Sequence, residues 1–295
     1  MTASLKQAWG RAGDVFRGHR VAAGGAVLLT LLVVLAVLAP WIAPQNPYDL
    51  QQLDILDGRL PPGSHAEVSG ITYWLGTDEQ GRDMLSAILY GLRISLMVGA
   101  SSTAIALCAG TLLGLMAAYA GGFIDAAIMR VADLQLSFPS ILVALVLIAV
   151  FGRGVDKVIF ALVIVQWAYY ARTARSVALV ERRKEYIEAA RSLGLPPLRI
   201  LLGHLLPNCV PPLLVVAALQ IAAAIALEAT LSFLGVGLPI TEPSLGLLIA
   251  NGYKYLLSGT YWISFFPGVA LLLTIVAINL VTDHVRDALN PRLQR

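Results

Sequence analysis

Six stretches of the chain carry no charged side chain, and they decide what it can fold into. Residues 21–43, 94–124, 134–152, 158–171, 200–227 and 255–282 are free of Asp, Glu, Lys and Arg. About 20 apolar residues in a helix cross the hydrocarbon core of a bilayer. Five stretches have that length or nearly so. The fourth, 158–171, is short, but a membrane helix can extend past its first arginine, because long basic side chains carry their charge back to the interface. Alone it would read as a buried core helix; beside five longer runs it reads as a span. The runs are continuous rather than alternating, unlike the strands of a membrane β-barrel. Composition agrees. Charged residues are 13% and hydrophobic residues 58%, with a mean hydropathy of +0.76, where soluble domains carry roughly 25% charge. Disorder needs the opposite balance. Two cysteines, Cys108 and Cys209, do not make a disulfide framework.

The basic residues orient the spans. With six spans both termini share one side. That side holds Lys6, Arg11, Arg17, Arg20, Arg130, Arg172, Arg175, Arg182, Arg183, Lys184, Arg191, Arg199, Arg286, Arg292 and Arg295, fifteen of the 21 cations; the other holds six. Cations collect on the cytoplasmic side, so both termini are expected there. Without the fourth span the basic loop 172–199 would move outside and the asymmetry would largely vanish. The first run exceeds the about 7–15 residues of a signal-peptide core, and no clear cleavage site follows it. It is read as a retained anchor. The expected organisation is a cytoplasmic segment 1–20, a transmembrane helix 21–43, an extracytoplasmic loop 44–92, a core 93–285 of five transmembrane helices with a cytoplasmic loop 172–206, and a cytoplasmic tail 286–295.

Two extramembrane segments stand out. The first, 44–92, holds seven acids: Asp49, Asp54, Asp57, Glu67, Asp78, Glu79 and Asp83. Thr77 with Gln80 fits a capping box. Met84, Leu85, Ile88, Leu89 and Leu92 follow at helical spacing. These predict a helix along the interface, or else a lead-in to the second span. The second segment, 172–206, carries seven cations. Tyr186, Ala189, Ala190 and Leu193 form an apolar stripe at i, i+3, i+4 and i+7. Gly194 suits the position after a helix end. A second short helix is expected from Pro197 to Leu206, broken by Pro207. Small alanines on such a stripe would let another protein approach closely, whereas a purely solvated loop has no need of one.

At this loop the residues acquire a family likeness. Glu188-Ala189-Ala190, then Gly194, then Leu206-Pro207 resemble the EAA loop of ABC-importer permeases, with His204 standing where that pattern usually has Ile. Trp74-Leu-Gly-Thr-Asp-Glu-Gln-Gly-Arg-Asp83, Tyr90-Gly-Leu-Arg-Ile-Ser95, Glu228-Ala-Thr-Leu-Ser-Phe-Leu-Gly-Val-Gly-Leu-Pro239 and Asp283-His-Val-Arg-Asp-Ala-Leu-Asn-Pro291 are similar to the C-type permease subunit of dipeptide, oligopeptide and nickel importers. The resemblance runs from about residue 19 to 293 in collinear order. It implies an all-α, six-helix type I (MetI-like) permease in the bacterial inner membrane. Its implied partners are a homologous second permease, two ATP-binding subunits, an extracytoplasmic solute-binding protein and membrane lipid, with no nucleic acid. It also implies coupling to the ATPase through Tyr186, Glu188, Ala189, Ala190, Leu193, Gly194 and Pro207. Glu188 would either pair with an ATPase arginine or cap a local amide. The outer loops 44–92 and 229–260 would meet the binding protein, with Asp78, Arg82 and Asp83 as gate or contact residues. The implied solute is a di- or oligopeptide, with nickel, glutathione or another small solute as the alternative.

No ATP site is legible. A P-loop needs Gly-Lys before Ser or Thr, and the four lysines precede Gln, Val, Glu and Tyr. ATP and Mg are therefore expected on partner chains, with no catalytic residue, metal or cofactor in this one. His19, His65, His204 and His284 are scattered, and Gly235-Val-Gly237 lacks the strand–helix context of a dinucleotide site. An ion-coupled carrier would place ionisable residues at the membrane midplane, whereas Asp133, Glu228 and Asp283 fall near span ends. Ser101, Ser102 and Thr103 read as helix-packing groups rather than nucleophiles.

Overall fold

A computed structural model describes residues 20–66 and 70–288. The expected segments 1–20 and 286–295 lie mostly outside the described residues, as do Glu67 and the end of the 283–291 pattern. The fold is helical. In chain order the helices are α1 (Arg20–Ile42), α2 (Met84–Ala120), α3 (Gly122–Leu136), α4 (Ser140–Phe151), α5 (Val155–Glu181), α6 (Glu185–Ser192), α7 (Pro197–Ile200), α8 (Leu206–Phe233), α9 (Leu245–Tyr253) and α10 (Trp262–Ala288). A two-strand antiparallel ribbon, β1 (Ser64–His65) and β2 (Thr72–Tyr73), pairs Ser64 with Tyr73 and His65 with Thr72.

The chain divides into two compact units, Met1–Leu96 with Ser232–Arg295, and Met97–Leu231. In the first, α10 packs against α1 and α9. The buried residues of α1 are Ala22, Gly25, Leu32, Ala36 and Ala39, a mostly small stripe at helical spacing. Lipid tails are as apolar as leucine, so close backbone approach rather than water exclusion joins such helices. Val27 and Trp41 on the same helix are exposed and suit lipid. In the second unit, Gly110 and Gly114 of α2 lie against the backbone of α5. A Cβ at either position would overlap the carbonyl oxygen of Trp167 or Ala171. This is the small-xxx-small contact of membrane helices. Thr103 Oγ1 donates to buried Gln166 Oε1 at 3.2 Å, and Gln135 binds the Trp167 indole and the carbonyl of Val165. Each of these amides thus has a partner inside the unit, as buried polar groups require.

Several expectations are corrected. The residues expected to form an interfacial helix before the second span are the first turns of α2 itself, and Met84, Ile88, Leu89 and Leu92 are buried. Thr77 is no helix cap. Its hydroxyl donates to the Asp57 carbonyl at 2.6 Å and accepts from the Leu60 amide at 2.7 Å. Asp83 takes the capping role, its Oδ2 accepting from the Ser86 amide at 2.8 Å, which is the N-cap to N3 bond. The third run is preceded by a separate helix, α3, and α3 and α4 meet at 95°. Pro139 follows Phe138 there and disfavours a helical residue before it. Pro207 does not end a helix. Residues Leu201–Leu205 form a π-turn that runs straight into α8. The wider turn relieves the clash a proline ring makes with the carbonyl four residues back. Helix α9 falls in a stretch expected to be an outer loop.

Among the described residues, four helical stretches are long and apolar enough to cross a membrane: Arg20–Ile42, Met84–Ala120, Pro197–Phe233 and Trp262–Asp287; the bent pair α3–α4 makes up to five. Helix α5 is long enough at 27 residues but carries Asp156, Lys157, Arg172 and Arg175, so composition alone does not count it.

Candidate functional site

The 182–213 region of the second unit is built around α6. Ile187 and Ala190 turn inward and are buried in a core with Tyr170, Ala174, Ile200 and Leu205. Three of the four residues expected on the outward stripe are exposed: Tyr186, Ala189 and Leu193. Ala190 is not, and is corrected here to an anchor. The sequence permits two phases of the short helix, 186/189/193 and 187/190, and Ile187 is the anchor the first phase passes over. Leu193 is 78% exposed and Leu198 66%, an unusual cost for leucines unless something covers them.

Helix α6 ends in a Schellman motif. The Leu195 amide donates to the Ala190 carbonyl at 3.2 Å and the Gly194 amide to the Arg191 carbonyl at 2.9 Å. Gly194 has φ +70°, and nothing lies within 4 Å of the place a Cβ would take there, so its backbone angle, not its space, calls for glycine. The Tyr186 hydroxyl donates to Glu181 Oε2 at 2.7 Å and accepts from Asn208 Nδ2 at 3.1 Å. Partial burial and the neighbouring carboxylate push the phenol up to about 12, so it stays protonated and keeps donating. Glu188 is exposed and has no side-chain hydrogen bond or ion pair among the described residues. Pro207 sits at the exit of the π-turn in the first turn of α8.

Arg182 and Arg191 were not singled out by sequence. Their guanidinium carbons lie 6.0 and 5.9 Å from the centre of the Tyr119 ring, and Arg182 Nη1 donates to the Ala118 carbonyl at 2.7 Å. No local motif announces this contact, because Tyr119 is more than sixty residues away. Nearby, Arg175 grips Asp125 with two bonds, at 2.5 and 2.6 Å, fixing α5 to α3 with fork geometry.

The second candidate set behaves differently. Asp78, Arg82 and Asp83 are all but fully buried. Asp78 Oδ1 accepts from the amides of Gln80 (2.8 Å) and Arg82 (3.0 Å). Arg82 sends both terminal nitrogens to the Ile240 carbonyl at 3.3 Å. The Asp83 amide donates to Gln45 Oε1 at 2.7 Å, and the Gln45 amide to Ser86 Oγ at 3.0 Å. Burial raises the carboxyls of Asp78 and Asp83 above the usual range, with the backbone and Ser86 bonds pulling the other way. Buried groups cannot touch a protein docking from outside. The expectation of a direct contact through these side chains is corrected: they brace the segment from within.

Helices long and apolar enough to cross a membrane, with a short exposed helix on an anchored base, describe a membrane protein. The family described as binding-protein-dependent transport system inner membrane component matches residues 110–295, and the N-terminal TM domain of oligopeptide transport permease C matches residues 7–62. The chain belongs to this family of binding-protein-dependent inner membrane transport components. It is 38% identical to the di/tripeptide transport system permease protein DppC of Pseudomonas aeruginosa, over 98% of this chain and 93% of that protein. It is 39% identical to the dipeptide transport system permease protein DppC of Escherichia coli K12 (95% and 92%), and 37% identical to the probable D,D-dipeptide transport system permease protein DdpC of the same strain (94% and 90%). Among solved structures, an inward-facing MetNI methionine ABC transporter chain matches with TM-score 0.56 and 21% identity, over 70% of this chain and 98% of that one. That likeness is one of fold.

Proposed function

We propose that the chain is one half of the translocation path of an ATP-driven importer of di- or oligopeptides. Short peptides are the solute named for the relatives above. In this reading six helices span the membrane, with α5 as the fourth and α3 leading into α4, and both termini are cytoplasmic. The bias of fifteen cations to six supports that orientation. A homologous permease completes the path, two ATPase chains bind ATP and Mg, and a binding protein delivers the peptide.

The observation that carries the reading is α6. It is held at its base by Ile187 and Ala190 and offers Tyr186, Glu188, Ala189 and Leu193 outward. ATP hydrolysis moves solute only by biasing inward-open against outward-open states, and a rigid helix set in a moving ATPase is a handle for that bias. Asp78, Arg82 and Asp83 serve the outer gate by fixing the start of α2 rather than by contact. Copurification followed by uptake tests this. Glu188→Lys and Gly194→Leu should leave membrane insertion intact and lower ATP-driven dipeptide uptake by about tenfold, a coupling loss of ~1.4 kcal/mol. Normal uptake in both variants would remove the case for α6, and uptake by this chain alone without ATP would make it a secondary carrier.

A further inference from the structure

Tyr119 stands in the last turn of α2, Arg182 caps the end of α5, and Arg191 lies in the last turn of α6. Three helix ends meet at one ring. The carbonyl of Ala118 is among the last four of α2, which have no partner within the helix, and Arg182 supplies one. The helix end is also its negative pole, favourable to cations. Two guanidinium groups repel each other. The face of an aromatic ring attracts both, where an aliphatic side chain of the same size would attract neither.

Against its own unit α6 is held by buried Ile187 and Ala190 and, at its start, by the bonds of the Tyr186 hydroxyl to Glu181 and Asn208. The link from α5 is a three-residue turn of backbone bonds, Arg182 through Lys184. Such a mount fixes the start of α6 but leaves its far end to swing. The Arg191 contact is at the far end of α6 from that turn, so it opposes tilting. We propose that Tyr119 is a positioning residue for energy coupling: its ring, gripped by Arg182 and Arg191, locks the angle of α6 to the end of α2, so that a push on α6 moves α2 instead of pivoting α6. This rests on the importer reading above.

The test uses the whole copurified complex in liposomes with its binding protein and a labelled dialanine, and reads ATP hydrolysed per dipeptide imported. For Tyr119→Ala this ratio should rise about fivefold with the subunits still copurifying, as a loss of coupling between sites requires. Tyr119→Phe keeps the ring face and should stay within about twofold of wild type. Arg191→Gln, on an exposed side chain, should raise the ratio by a smaller factor. An unchanged ratio in Tyr119→Ala, or Phe failing as badly as Ala, overturns the proposal. If Tyr119→Ala does not assemble, Arg191→Gln decides: a wild-type ratio there overturns it. A wild-type complex that neither hydrolyses ATP nor imports dialanine overturns the importer reading itself, and with it the clamp.

Discussion

Residues 44–83 and residues 182–213 invert each other. The first segment is rich in acids, and four of its charged groups are turned inward: Asp57, Asp78, Arg82 and Asp83 are buried and bonded to backbone or to neighbouring side chains. The second is rich in cations, and it turns apolar side chains outward, Leu193 and Leu198 above all. Ordinary burial rules predict the reverse in both places. A buried ionisable group costs several kcal/mol unless its bonds are made, and here Asp78 and Asp83 accept from the amides of Gln80, Arg82 and Ser86. An exposed leucine forgoes roughly 2 kcal/mol of burial, which is recovered when a partner covers it. The buried acids brace the first region from within, although its own surface exposes Ile55, Leu56 and Trp74; the second has exposed leucines and no comparable set of buried charges.

The comparison breaks most sharply at Gly81. It has φ +74°, and an added Cβ would overlap the Asp54 carbonyl. Gly81→Ala therefore adds about 1–2 kcal/mol of left-handed strain to a forced backbone shift between two internally bonded turns. Folded permease recovered in mild detergent should fall severely, with no partner present. The counterpart is Leu193→Ser. It should leave the thermal midpoint of the isolated permease unchanged, yet weaken copurification of the ATPase by about tenfold, ~1.4 kcal/mol. A lowered midpoint would mean that Leu193 serves this chain's own core, and the contrast would fail on that side.

These residues also mark what sequence can and cannot convey. Charge-free runs announced the long helices, because period and length are local properties. Gly194 was legible for the same reason: a helix end needing positive φ leaves a glycine in place. Gly110 and Gly114 stood four apart in plain view, and the spacing alone could have announced the close approach of α5. Thr77 misled because its hydroxyl is claimed by Asp57 and Leu60, some twenty residues back, and a local capping rule cannot see that competition. Pro207 misled because a π-turn accommodates it. Asp78 and Asp83 read as contact residues because a sequence records charge and not burial. The angle of α6 was lost in the choice between two phases of an eight-residue helix, and Tyr119 because its partners are distant in sequence.

The smallest effect sharpens the scaffold side of the contrast, through pH. Burial raises the carboxyl of Asp78, the amides of Gln80 and Arg82 oppose it, and the balance lies above the usual range. The folded segment therefore binds the Asp78 proton more tightly than the unfolded chain does. Stability from this group is fully present below the ordinary carboxylate value and is lost as pH rises through the raised one. Asp83 acts in the same direction. Amide exchange across residues 77–83, corrected for its intrinsic pH dependence, should be slower at about pH 5 than at about pH 7. Asp78→Asn keeps an acceptor oxygen for the two amides and removes the charge, so it should flatten part of that slope and leave the share due to Asp83. Faster exchange on acidification would have the opposite meaning. The carboxylates would then be stabilised as anions, as on a charged docking surface, and the segment would cease to be the inward-facing member of the pair.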